Sequence, residues 1–86
     1  MENWYFFSAS GNYSLAHNYN NGYTSVTVEE YPSIPEVNID FGSLYEETEG
    51  ILMSEESYGG SHSAWGYVCA SSPEEGKNLL ENYFEI

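Results

Sequence analysis

Three groups of residues in this chain carry reactive chemistry. Ser61-His62-Ser63, beside the Gly59-Gly60 pair, sets two hydroxyls next to an imidazole and invites a nucleophile reading, with a glutamate to orient the ring. A triad asks for more than adjacency. It needs a base within hydrogen-bond reach of the nucleophile and a strand-turn-helix elbow to expose it, and no such pattern surrounds these residues. The ordinary reading is a polar loop histidine. His17, His62 and Cys69 form the second group, but they are scattered and lack the paired spacing of a zinc site. No phosphate-cradling glycine motif and no dinucleotide fingerprint occurs. The expectation is a chain that is not an enzyme, with no catalytic residue, metal or cofactor.

The third group is the acids. Fourteen Asp and Glu stand against one base, Lys77, for a net charge of −13. All but Asp40 are Glu, whereas a calcium loop wants closely spaced Asp and Asn around a turn glycine. Charge of this size repels nucleic acid and anionic membrane and attracts basic proteins at long range. The acids cluster at Glu29 and Glu30; at Glu46, Glu47 and Glu49; at Glu55 and Glu56; at Glu74 and Glu75; and at Glu81 and Glu85. Carboxylates two apart on a strand lie ~6.6 Å from one another, and four apart on a helix ~6 Å. Those spacings suit Lys and Arg side chains arranged to contact successive phosphates. Tyrosine is abundant too, and Tyr13, Tyr19, Tyr23, Tyr31, Tyr45 and Tyr58 lie near polar or acidic stretches. Exposed Tyr beside charge is typical of interfaces. The candidate partner-binding residues are therefore Glu29, Glu30, Glu46, Glu47, Glu49, Glu55 and Glu56, with Tyr45 and Tyr58.

The 86 residues make one domain, 1–86, with 41% hydrophobic side chains to build a core despite the acidity. The single Cys69 excludes an internal disulfide and fits a reducing compartment. Trp4-Tyr5-Phe6-Phe7 follows Glu2 with no basic residue before it, so it does not read as a secretory signal. No apolar run reaches transmembrane length. Cytoplasm is the expected location, in the host cell if the source is viral.

The last third of the chain is the clearest part. Residues 64–70 are short, apolar and aromatic-rich, as a mostly buried strand is. Ser72 then provides an N-cap, Pro73 a first helical position, and Glu75 completes a Ser-x-x-Glu capping box. Leu79, Leu80, Tyr83 and Phe84 form an apolar stripe that Ile86 extends. The pattern predicts an amphipathic helix over residues 73–85. Two features oppose it: Glu81 and Glu85 crowd the negative end of the helix dipole, and Gly76 in its interior costs roughly 1 kcal/mol relative to Ala.

Upstream, residues 3–9 predict an aromatic strand central in a sheet, ended by Ser10-Gly11-Asn12 as a turn. Residues 13–19 are a further candidate strand, and Asn20-Asn21-Gly22 is the strongest hairpin signal. Residues 23–29 alternate cleanly and are β-branched, which predicts a strand. Pro32 and Pro35 make residues 31–35 an extended connection. Residues 37–41 alternate as a short strand does, residues 43–49 suggest an acidic helical turn, and residues 50–56 fit a strand or the end of that helix. Tyr58-Gly59-Gly60-Ser61 is a turn. The fold class is α+β: an antiparallel sheet of four to five strands with the C-terminal helix on one face.

In size, acidity, scarcity of Lys and Arg, and tyrosine content, the whole chain resembles the small acidic proteins with which phages block host DNA-binding enzymes: DNA mimics, anti-restriction and anti-CRISPR proteins. The resemblance implies a non-enzymatic inhibitor, monomer or homodimer, that occupies a basic nucleic-acid-binding surface of a CRISPR effector or nuclease. It carries over no site residue. Two other classes stand beside it. An immunity or antitoxin protein would neutralise one basic toxin, and a structural domain would carry its charge for solubility alone.

Overall fold

The computed structural model describes residues 2–12, 22–35, 44–58 and 60–86, the side chains of Glu47 and Tyr58 excepted. The elements are β1 (Asn3–Asn12), β2 (Tyr23–Pro32), β3 (Tyr45–Thr48), β4 (Ile51–Tyr58), β5 (Ser61–Ala70) and α1 (Pro73–Phe84). The five strands form one antiparallel sheet in the order β2-β1-β5-β4-β3, with α1 packed on one face. The expected strand at 13–19, the alternating run at 37–41, and Asn20 and Asn21 lie outside the described residues.

The aromatic N-terminal strand is interior, flanked by β2 and β5, while β5 holds the centre. β1 and β5 pair without a slip from Asn3↔Ala70 to Asn12↔Ser61. Along β1 and β2 the register shifts between Tyr5↔Pro32 and Phe7↔Val28, so β2 carries extra residues there. The Ser33 N–H, 2.9 Å from the Trp4 carbonyl, carries the pairing just past β2.

Ser10-Gly11-Asn12, expected as a turn, instead continue β1 in register with Ser63-His62-Ser61, and glycine stands at position 11 because a Cβ there would run into the Gly22 backbone. Tyr31 and Pro32, expected in an extended connection, end edge strand β2, where a proline is tolerated. Residues 43–49 also differ from expectation. Instead of a helical turn, the sheet takes Tyr45–Thr48 as strand β3, pairing Tyr45 with Met53 and Glu46 with Leu52. The chain turns at Glu49-Gly50, where Gly50 takes a left-handed φ of 85° beside a register shift between Glu46 and Thr48. Pairing with β4 outweighs the helix preference of a glutamate-rich run. Of residues 50–56, which fitted two elements, Gly50 belongs to the turn and 51–56 to strand β4.

Alternation puts Tyr5, Phe7 and Ala9 of β1, Ala64, Val68 and Ala70 of β5, and Ile51 and Met53 of β4 under the helix side of the sheet. Leu80 and Phe84 of α1 close that core, with Tyr83 half-buried against it. Leu79 and Ile86, expected in the same stripe, are exposed. The interior glycine has a packing reason. A Cβ on Gly76 would lie 2.9 Å from Val68 Cγ1 and 3.6 Å from Ala70 Cβ, so only glycine lets the helix settle this close to the sheet.

Both ends of α1 are built as local chemistry dictates. The Glu75 N–H donates to Ser72 Oγ at 3.1 Å, the expected N-cap. The Glu75 carboxylate accepts from the Ser71 N–H at 3.1 Å and from the Ser71 hydroxyl at 2.7 Å, so the return bond reaches one residue further back than a capping box places it. At the other end the Glu85 N–H reaches the Asn82 carbonyl at 3.2 Å and the Ile86 N–H reaches Glu81 at 2.8 Å. This is a Schellman closure, made here by a non-glycine residue with φ of 61°.

Candidate partner-binding surface

The sheet has two faces and only one helix among the described residues, so the face away from α1 carries no secondary element there. Its side chains follow from register. One lane runs Glu46–Leu52–Tyr67–Phe6 across β3, β4, β5 and β1. The next runs Ser54–Trp65–Ser8–Thr27 from β4 to β2, and the third runs Glu56–Ser63–Ser10–Ser25. The Ser10 and Ser25 hydroxyls meet at 3.1 Å. Phe6 and Tyr67 pack edge to face at 5.5 Å, and this contact buries Tyr67. Trp4, Phe6, Leu52 and Trp65 remain half-buried.

The candidate acids do not form one stripe. Glu29 and Glu30 stand exposed on the edge strand β2, whereas Glu46 and Glu47 belong to the opposite edge strand β3, with exposed Glu49 in the turn after it. Glu56 opposes Ser63 on the helix-free face, and Glu55 opposes Ala64 on the helix side. Tyr45 is exposed and Tyr58 ends β4. The neighbouring residues Glu55 and Glu56 therefore belong to different surfaces.

Glu55 is held from within. The Tyr23 hydroxyl donates to its Oε2 at 2.6 Å and the Tyr45 hydroxyl to its Oε1 at 3.1 Å. His62 Nε2 lies 3.7 Å from Oε2, and its Nδ1 is 2.7 Å from Ser57 Oγ. Tyr23 stacks on His62 at 4.4 Å and leans on Phe84 at 4.7 Å. Tyr23, expected near the surface, is buried. His62 does meet a serine and a glutamate, but the serine is Ser57, its directly opposed neighbour in the β4–β5 register, and neither Ser61 nor Ser63. The carboxylate spends its shortest bond on a phenol. The cluster ties β2, β3, β4 and β5 together at the end of the sheet that lies past Phe84.

Glu75 and Cys69 are shifted from their ordinary titration. The two hydrogen bonds from Ser71, hydroxyl first and backbone N–H second, hold the Glu75 carboxyl below the usual carboxylate range. Burial raises the Cys69 thiol, and the Glu2 carboxylate adds to the rise, with Sγ 3.9 Å from Oε1. Both influences disfavour the thiolate, the nucleophilic form of the side chain. No group of three or more His, Cys, Asp or Glu among the described residues is placed to hold a metal ion. No helix among them is long and apolar enough to cross a membrane.

No family model, no curated protein and no solved structure matches this chain. The surface chemistry alone supports a functional reading.

Trp4, Phe6 and Trp65 were not among the candidates drawn from sequence. The signal was present: Trp4-Tyr5-Phe6-Phe7 is apolar at every position, a pattern of strands covered on both faces. With α1 on one face of the sheet, alternation turns half of those aromatics to the other face.

Proposed function

We propose that this protein is a non-enzymatic acidic inhibitor that binds a basic nucleic-acid-binding surface of a host protein, a CRISPR effector or a nuclease, and blocks nucleic-acid access. What supports this reading most is where the charge is carried. Carboxylates project from both edges of the sheet and from the helix-free face, and no Arg interrupts them. Such a surface draws in a cationic groove from a distance and competes with phosphates for it. The protein itself is expected not to bind DNA or RNA, for the same electrostatic reason.

The test uses immobilised protein loaded with a bacterial lysate and eluted by a salt ramp, with and without added DNA. Nucleic-acid-binding proteins should elute at moderate salt and be displaced by DNA. Retention that ignores both salt and DNA rejects the reading.

The edge placement favours a second reading. Charged side chains on edge strands prevent sheets from pairing edge to edge, and β2 and β3 are the two edges. Glu29→Thr with Glu30→Thr separates the two. If the charge serves only the edge, the variant self-associates in sedimentation and partner binding is untouched.

A further inference from the structure

We infer that the Trp65 hollow on the helix-free face receives an arginine side chain of the basic partner; the inference rests on the inhibitor reading and names the contact within it. Trp65 on that face has two small cross-strand neighbours, Ser8 on β1 and Ser54 on β4. Tyr67, by contrast, is walled in by Phe6 and Leu52. On the β4 side Ser54 leaves space beside the indole, a hollow of about 340 Å³ lined by Ser54, Glu56 and Trp65 together with Glu55, whose carboxylate is engaged by Tyr23 and Tyr45. Glu56 stands two residues beyond Ser54 on β4, diagonal to Trp65 on the same face.

That combination selects a guanidinium. A flat, delocalised cation stacks on an indole face while its rim still donates hydrogen bonds in the plane. The Glu56 carboxylate and the Ser54 hydroxyl supply acceptors for that rim. A lysine ammonium is a compact, strongly hydrated charge and cannot lie flat on the ring and bridge to the carboxylate at once. A second copy of this chain does not fit, because the sequence contains no arginine and would bring its own carboxylates against Glu56. A nucleic acid would meet repulsion at the same rim. The occupant is an arginine-bearing protein surface.

The test titrates dye-labelled nona-arginine and nona-lysine peptides against the whole protein at low ionic strength, following anisotropy. Wild type should bind the arginine peptide about tenfold more tightly, the worth of one desolvated cation–π contact. Ser54→Val, which fills the hollow and leaves every charge in place, should bring the two affinities together. Trp65→Leu should do the same, with melting curves confirming that each variant folds. Glu29→Gln with Glu30→Gln should weaken both peptides equally and keep the ratio. A ratio near one in wild type, or one that Ser54→Val and Trp65→Leu leave unchanged, overturns the arginine contact while salt-sensitive binding keeps the inhibitor reading standing. If neither peptide binds, both readings fall.

Discussion

The Tyr23 hydroxyl lies 2.6 Å from Glu55 Oε2, joining the first residue of an edge strand to a carboxylate three strands away. A short bond to an ionised acceptor is among the stronger hydrogen bonds available to a small domain. Tyr23→Phe keeps the ring against Phe84 and His62 and deletes only the donor. It should lower stability by about 1–2 kcal/mol, read as a shifted denaturant midpoint with an unchanged slope. An unmoved midpoint would mean that water replaces the phenol at no cost.

That bond also marks the limit of what the sequence discloses. The helix was legible because its signals are local: Ser72, Pro73 and Glu75 act within one turn, and Leu80 and Phe84 share a face by spacing alone. Tyr23 was not legible. Its neighbours Asn21 and Gly22 advertise a surface turn, while the residues that bury it, His62 and Phe84, lie some forty and sixty positions away. Strand β3 was misread for a related reason, since its pairing with Leu52 and Met53 is decided by tertiary context. The outward aromatics were hidden because Trp4 to Phe7 is apolar on both faces of β1, and no pattern in one strand says which face α1 will cover.

Gly76 is predicted to tolerate no side chain. Ala at this position removes roughly 1 kcal/mol of helix-propensity penalty. It also drives a methyl to 2.9 Å from Val68 Cγ1, and Val68 is fully buried with nowhere to retreat. Overpacking typically costs about 1–3 kcal/mol, so Gly76→Ala should be net destabilising and Gly76→Leu should unfold the domain. A higher melting temperature for the alanine variant would show that α1 can lift off the sheet at little cost.

Glu85 ends α1 with φ of 61°, in the left-handed region where a side chain is strained, and puts a negative charge at the negative end of the dipole. Glu85→Gly relieves both and should raise stability by about 1–2 kcal/mol. Glu85→Gln relieves only the charge and should recover a smaller part. If both variants melt with wild type, the closure at Asn82 and Glu81 is already frayed in solution.

The Glu75 carboxyl should make stability pH-dependent in a definite direction. Its folded-state pKa is lowered, so its contribution is fully present above the ordinary value of 4.5 and is lost as pH falls through the folded-state value. Protonation of the other glutamates relieves self-repulsion and works the opposite way. The diagnostic is therefore a difference. Wild type minus Glu75→Gln, followed by thermal melting from neutral to acid pH, should shrink below that value, and Ser71→Ala should flatten it. A difference constant with pH would show that Ser71 does not hold the carboxylate.

The acidic clusters can now be tested separately, since they stand on different parts of the fold. Glu29→Lys with Glu30→Lys reverses one edge, and Glu46→Lys with Glu47→Lys reverses the other. On the helix-free face Glu56→Lys must be made alone, because changing Glu55 would also break its bonds to Tyr23 and Tyr45. Under the inhibitor reading at least one of these variants should lose roughly tenfold in partner affinity, mainly through a slower association rate that converges with wild type at high salt. Stability should hold or rise, since each reversal lowers self-repulsion. The edge that loses affinity is the one facing the partner's groove. Binding that survives all three reversals would leave the charge as an edge guard and a solubility coat, and recognition would then have to reside elsewhere.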